Sequence, residues 1–259
     1  MTGRNPARER LAKGELALGI GLRQARTVDI AQIMASCGFD WLFIDLEHGT
    51  MPLDIAVQIS GAALSAGITP LVRVPSGQYS MATRALDGGA LGIVMPHVDT
   101  AEEAKAVVDH LKYPPLGRRS VAGPQAFLGY RPVPVGEAAR TMNAETLIVV
   151  MLETPQAIAN AETIAAVPGI DVLLIGTNDL AMEMGIPGQF DHAEIQRAYE
   201  RVIAACRRHG KAPGMGGVYT EDLLAKYIDL GMRMILSGND LSLIIAGGSQ
   251  KTKFLRSRG

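Results

Sequence analysis

Eight short apolar runs, each too short for a buried helix, recur along the chain with helix-like stretches between them. The runs cover residues 16–22, 41–45, 70–74, 91–95, 147–152, 172–175, 212–215 and 232–236. Helical patterns occupy 30–36, 53–66, 82–86, 101–111, 155–166, 194–209 and 220–230, and a closing helix follows from about 241. A continuous apolar run bounded by turn residues reads as a strand buried on both faces, the kind that parallel sheets use. Eight strand–helix alternations in 259 residues have the count and length of a closed (β/α)8 TIM barrel. An open doubly wound sheet is the competing arrangement. Eight regular units with no Gly-x-Gly-x-x-Gly after the first strand argue against it. The reading is therefore one barrel domain over 1–259, with no internal boundary.

Composition excludes several classes of function. Apolar residues make up 47% of the chain and charged residues 20%, with a net charge of −1. That balance provides a large core and leaves no basic stripe for nucleic acid and no polybasic patch for a membrane. Arg4, Arg8 and Arg10 precede no apolar segment of signal-peptide length, and no later run could span a bilayer. Cys37 and Cys206 fall far apart on predicted helices and read as buried thiols in a reducing cytoplasm. The stretch 112–143 carries five prolines and reads as a long irregular loop starting on the bottom face, suited to subunit contacts.

In a (β/α)8 barrel chemistry sits at the C-terminal ends of the strands. The second run, Trp41-Leu42-Phe43-Ile44, stops abruptly in Asp45, Leu46, Glu47 and His48. The third ends at Arg73, the fourth leads to His97, the fifth to Glu153, and the sixth to Gly176, Asn178 and Asp179. Glu153 and Asp179 are one β/α unit apart, so adjacent strands aim two carboxylates at one point. Such a pair repels unless one acid is protonated or a cation lies between them. A hard divalent ion with oxygen ligands, Mg2+ above all, answers that need. None of the lysines falls at a predicted strand's C-terminal end; Lys211 precedes the seventh strand, on the opposite face. A Schiff-base route is thereby disfavoured. His97 reads equally as a site residue or a loop histidine, and His110, His192 and His209 read as surface groups. The glycine-rich ends Gly214 to Gly217 and Ser237 to Asp240 lie where many barrels bind phosphate.

Taken together, Asp45-Leu46-Glu47-His48-Gly49, Val72-Arg73-Val74-Pro75, Leu152-Glu153-Thr154, Ile175-Gly176-Thr177-Asn178-Asp179-Leu180 and Ser237-Gly238-Asn239-Asp240 resemble the HpcH/HpaI aldolases. These are metal-dependent class II pyruvate aldolases on a phosphoenolpyruvate/pyruvate-type barrel, and the likeness runs over nearly the whole chain. The resemblance implies aldol cleavage and condensation of 4-hydroxy-2-oxo acids, giving pyruvate or hydroxypyruvate and an aldehyde. It implies Glu153 and Asp179 as ligands of Mg2+, Mn2+ or Co2+, and Arg73 at the donor's oxo oxygen. It also implies His48, oriented by Asp45, as the acid/base group, and the turn around Gly176, Asn178 and Asp179 as the seat of the donor carboxylate. Asp87 matches an acidic position that the family places near the histidine. Chain order puts it on the bottom face of its own barrel, so a neighbouring subunit would have to supply it. The resemblance implies a homohexamer, a trimer of dimers that exchange the final helix, about 241–259. Two positions depart from the family: Met151 stands where Gln is frequent, and Gly49-Thr50-Met51 follows the histidine where Ala-Pro is common. Competing readings are a lyase or decarboxylase acting on an acyl-CoA or oxaloacetate, and a binding barrel without catalysis.

Overall fold

The computed structural model describes residues 4–259; the first three residues of the expected domain lie outside the described residues. The chain runs α1 (Pro6–Ala12), β1 (Ala17–Leu22), α2 (Ile30–Ser36), β2 (Trp41–Asp45), α3 (Leu53–Ala66), β3 (Thr69–Arg73), α4 (Tyr79–Asp87), β4 (Gly92–Met95) and α5 (Ala101–Leu111). It continues with α6 (Val135–Glu145), β5 (Leu147–Leu152), α7 (Pro155–Ala159), α8 (Ala161–Ala165), β6 (Val172–Gly176), α9 (Thr177–Glu183), α10 (Ala193–His209), β7 (Ala212–Gly216), α11 (Glu221–Leu230), β8 (Met234–Asn239) and α12 (Asp240–Arg256). The strands close in sequence order into one parallel barrel, β8 pairing with β1. Among the described residues no helix is long and apolar enough to cross a membrane.

Because strand side chains alternate in direction, each strand feeds two cores. Trp41, Phe43, Leu71, Val94, Val149, Met151, Val172, Leu174, Met234 and Leu236 fill the barrel interior. Leu42, Ile44, Val72, Ile93, Ile148, Val150, Leu173 and Ile175 face the helices outside. At the base of the interior, Trp41 is fully buried and its indole Nε1 donates to the Ala17 carbonyl at 3.1 Å. Gly19 faces that ring, and a Cβ there would lie 2.0 Å from it.

Four features differ from expectation. The short helix α1 plugs the bottom of the barrel. Asn5 caps it, donates to the Glu145 carbonyl at 2.7 Å and accepts from the Thr69 hydroxyl at 2.9 Å, and Ala7 joins the interior core. The 112–143 stretch is less irregular than its prolines imply: it holds a 3-10 turn at Ala126–Leu128 and the start of α6. The expected helix over 155–166 breaks into α7 and α8 at Asn160, whose side chain donates to the Asp99 carbonyl at 2.7 Å. Cys37, expected buried, is exposed at the C-terminal end of α2, whereas Cys206 is buried.

The sequence also hid a buried cation. Lys112 is 2% exposed, and its Nζ donates to the carbonyls of Asn143 at 2.8 Å and Thr146 at 2.6 Å, with Asp171 at 3.8 Å. Burial lowers its pKa to about 8 despite the nearby Asp171 carboxylate.

The last helix is the least covered element. Within α12 only Asp240 is buried, while Leu243, Ile244, Ile245, Phe254 and Leu255 stand in solvent.

Candidate active site

The interior alternation of β2 is Trp41, Phe43, Asp45, and that of β3 is Leu71, Arg73. Each apolar row therefore ends in a charge at the mouth. Asp45 and Arg73 are register partners. Arg73 Nε donates to Asp45 Oδ1 at 2.9 Å and Nη2 to Oδ2 at 2.6 Å. Nη1 lies 2.9 Å from Glu47 Oε2, and the guanidinium sits 4.9 Å from the centre of the Phe43 ring. Burial on its own would raise the Asp45 carboxyl. The Arg73 hydrogen bonds and charge, with the amides of His48 and Glu47, take it instead below the usual carboxylate range.

Asp45 does not orient the His48 ring. Its Oδ1 accepts from the backbone N–H groups of Glu47 at 3.1 Å and His48 at 3.2 Å, so it shapes the loop that carries the imidazole. The His48 ring is 57% exposed, and its nearest carboxylate is Glu47 at 3.9 Å. The cross-strand arginine has taken the carboxylate that sequence proximity had assigned to the histidine.

Glu153 is the next inward position after Val149 and Met151 on β5. It is 1% exposed, and its Oε2 accepts from the His97 amide at 3.0 Å. The His97 ring bridges two acids, with Nδ1 3.4 Å from Glu153 and Nε2 3.9 Å from Glu47. Its backbone takes φ 52°, an uncommon conformation for a side-chain-bearing residue that concentrates at functional sites. Burial pushes Glu153 up to about 7, and the charge of Asp179 adds to the rise against the His97 amide and ring and Arg73. Gly176 must lack a side chain: a Cβ there would meet Glu153 Oε1 at 2.5 Å.

Asn178 and Asp179 are exposed in the first turn of α9. That turn is tied down from behind: the Tyr199 hydroxyl donates to Thr177 Oγ1 at 2.7 Å, and Thr177 donates to the Gly216 carbonyl at 2.7 Å. A cavity of about 220 Å³ opens above, lined among others by Arg23, Phe43, His48, Arg73, Met151, Gly176, Asn178, Asp179, Gly217, Tyr219 and Asn239. It gathers His48, Arg73, Gly176, Asn178 and Asp179, with Asp45 and Glu153 in contact with its walls.

Asp87 is elsewhere. It ends α4 and pairs with Arg119 Nη2 at 2.6 Å, away from its own chain's cavity. Three further arginines are also engaged outside the cavity. Arg118 binds Asp109, Arg119 binds Asp87, and Arg208 binds Glu162. Of the two glycine-rich strand ends, Gly216, Gly217, Gly238 and Asn239 line the cavity, whereas Asp240 is engaged by the chain itself. Asp240, 2% exposed, accepts from the backbone N–H groups of Arg23 at 3.0 Å, Gln24 at 2.9 Å and Ala25 at 2.7 Å. Sequence reasoning missed Arg23 and gave no role to Glu47. A charged residue directly after an apolar strand was the available signal for Arg23.

The buried carboxylate beside a second acid fits a small hard cation, since oxygen donors and uncompensated negative charge are what such an ion requires. Among the described residues no group of three or more His, Cys, Asp or Glu is arranged to hold a metal. The candidate set is therefore the two carboxylates, with substrate and water completing the shell.

Known proteins resemble the chain over nearly its full length. A 4-hydroxy-4-methyl-2-oxoglutarate aldolase of Chaetomium globosum is 42% identical over 248 residues, 94% of this chain and 92% of that protein. A hydroxypyruvate/pyruvate aldolase of Cupriavidus necator is 35% identical over 250 residues, 94% of this chain and 89% of that protein. The crystal structure of an HpcH/HpaI aldolase from Desulfitobacterium hafniense superposes with a TM-score of 0.91 at 29% identity, covering 96% of each chain. The sequence profile of the HpcH/HpaI aldolase/citrate lyase family matches residues 23–246. The chain belongs to the HpcH/HpaI aldolase/citrate lyase family.

Proposed function

We propose that the protein is a carbon–carbon lyase, a class II aldolase that cleaves and forms 4-hydroxy-2-oxo acids with pyruvate or hydroxypyruvate as the donor. The observation that carries this reading is the opposition, at one small cavity, of two neighbouring acids and a fixed guanidinium: buried Glu153 with Asp179 at the surface of the cavity, and Arg73 held by Asp45 and Glu47. Relatives named for aldol chemistry on 2-oxo acids support it.

Glu153 and Asp179 would hold a divalent cation, Mg2+, Mn2+ or Co2+, which when bound supplies Lewis acidity at the donor's oxo group. Arg73 commits its Nε–H and one N–H of Nη2 to Asp45 and sets Nη1 beside Glu47 as an ion pair, which leaves N–H donors on both Nη atoms for the substrate. Those donors would stabilise the oxygen where enolate charge develops, and a guanidinium already fixed by Asp45 avoids reorganisation during the reaction. The backbone at the Gly176–Asp179 turn seats the donor carboxylate, beside Gly217. His48 takes the proton from the substrate's 4-hydroxyl in cleavage and returns it in condensation. Met151 lines the cavity where a polar group is frequent in relatives, so that wall contributes shape and no hydrogen bond.

The same reading extends to assembly. The uncovered apolar side chains of α12, together with Leu18 exposed on the outer face of β1, leave the seam between β8 and β1 without its own helix. Exchange of α12 between two copies covers both, and three such pairs make a hexamer in which Asp87 reaches a neighbour's His48. The two free cysteines suit a reducing cytoplasm.

The test is hydrogen–deuterium exchange at the methyl group of pyruvate, in the purified protein with Mn2+, followed by product formation with an aldehyde panel. Metal-dependent exchange supports the reading; exchange that persists in excess chelator, or borohydride trapping of pyruvate on a lysine, overturns it.

A further inference from the structure

Arg23 is an arginine in the cavity whose donors are not committed. It follows Leu22, the last residue of β1, and continues that strand's inward row above Gly19 and Gly21. Gly19 is required by the close approach of Trp41, and Gly21 is tightly approached by Asn239 Cβ and the Gly238 carbonyl, each 3.2 Å from a Cβ built there. The backbone at residues 23–25 is held by three hydrogen bonds to the buried carboxylate of Asp240. The arm of Arg23 therefore starts from a fixed point.

Its guanidinium has one acidic group within 4 Å among the described residues, Asp45 Oδ2, at 3.6 Å from Nε. That is beyond a good hydrogen bond. Asp45 does not need it: two donors from Arg73 and two backbone amides already occupy that carboxylate. The Arg73 side chain is 6% exposed and fastened to two acids, whereas that of Arg23 is 45% exposed and donates no hydrogen bond to a described residue. A planar, permanently charged fork with open donors at the wall of a small cavity is a receptor for a carboxylate, which it can take in two parallel hydrogen bonds.

We infer that Arg23 binds a carboxylate on the acceptor, so that the preferred acceptor is itself a short 2-oxo acid and not a simple aldehyde. This rests on the aldolase reading and specifies its substrate class. In the condensation, one C–H bond of the pyruvate methyl group breaks and a C–C bond forms to the acceptor's carbonyl carbon. The acceptor's oxygen takes the proton and becomes the 4-hydroxyl. The product is a dicarboxylic 4-hydroxy-2-oxo acid, and cleavage is the reverse.

The test compares glyoxylate with acetaldehyde as acceptors for pyruvate, using the full-length protein with Mn2+ and measuring kcat and KM for each. The expected result is a wild-type preference for glyoxylate that falls at least thirtyfold in Arg23→Gln, through a rise in the glyoxylate KM, with Arg23→Lys retaining part of it. A preference unchanged within threefold, or equal losses on both acceptors, overturns the proposal. Methyl-proton exchange of pyruvate in the wild type separates the two levels. Exchange with no acceptor discrimination removes the Arg23 role alone, and no exchange removes the aldolase reading and this proposal with it.

Discussion

Asp45 and Arg73 stand opposite each other across β2 and β3 and are joined by two hydrogen bonds, at 2.9 and 2.6 Å, so that the acid fixes the plane of the guanidinium. With Glu47 on Nη1 and Phe43 beneath, the arginine has little freedom left to lose when substrate arrives. Preorganisation of this kind lets a donor stabilise developing charge without a reorganisation cost.

Replacing Arg73 with lysine should therefore slow pyruvate methyl exchange by about two to three orders of magnitude, because an ammonium cannot reproduce the planar donor pair. Asp45→Asn should slow it less, since one amide oxygen still accepts while the charge is lost. Exchange rates by NMR check both. Wild-type exchange in Arg73→Lys would show that the enolate is held by other groups.

Glu153→Gln and Asp179→Asn should each weaken Mn2+ binding at least a hundredfold, measured by electron paramagnetic resonance of free Mn2+. Chelation of the wild type should stop aldol cleavage, and Mg2+, Mn2+ or Co2+ should restore it. Unaltered Mn2+ affinity in both variants would move the cation elsewhere.

Asp87 and His48 test the shared site. Each single variant, Asp87→Ala and His48→Ala, should be nearly inactive, and His48→Ala should keep wild-type Mn2+ affinity. Co-expressed, the two chains should regain activity in mixed oligomers, where one interface carries both intact residues. Mixtures that stay inactive would confine the site to one chain.

Lys112 predicts an alkaline dependence of stability. Its folded pKa, about 8, lies below the ordinary lysine value of 10.5, so between those values the unfolded chain holds more protons. Stability then rises with pH, because burial no longer has to accommodate an ammonium. Relative to Lys112→Met, the wild type should gain about 1 to 3 kcal/mol between pH 8 and 10.5. Urea unfolding at three pH values measures the difference; a gap that does not change with pH would mean that Lys112 keeps its full charge throughout.

Gly19→Ala places a methyl group inside the Trp41 ring volume. Overpacking at a fully buried ring should cost roughly 3 kcal/mol, read as a lower melting temperature by circular dichroism. Gly14→Ala, where a Cβ meets nothing within 4 Å but φ is 74°, should cost less. Equal losses would mean that the indole gives way and that the contact with Trp41 costs no more than the left-handed backbone at Gly14.

The barrel and the acid–arginine end of the site were legible because parallel strands advertise themselves as unbroken apolar runs. A polar residue that keeps the inward phase of such a run, as Asp45, Arg73 and Glu153 do, must emerge at the mouth. What stayed hidden depends on closure. Arg23 is held by Asp240, 217 residues away, a pairing that exists only once β8 meets β1. His97 joins Glu153 through a left-handed backbone that no local pattern announces. Asp45 was assigned to His48 because the two are close in sequence, whereas the register of β2 against β3 brings Arg73 nearer. Helix α1 escaped because seven residues carry too little periodicity, and its cap is satisfied by groups from β3 and the end of α6.

Trp41 is the chain's sole tryptophan, and its ring lies in the barrel interior, 6.3 Å from the Phe43 ring that supports Arg73. The molecule thus carries its own optical reporter, placed where neither the exposed final helix nor the surface loops can reach it. Its emission should be that of an indole shielded from water, and a shift to the red marks the moment at which β1 and β2 part. Time-resolved fluorescence of the unlabelled protein can therefore date the opening of the barrel separately from dissociation of its subunits.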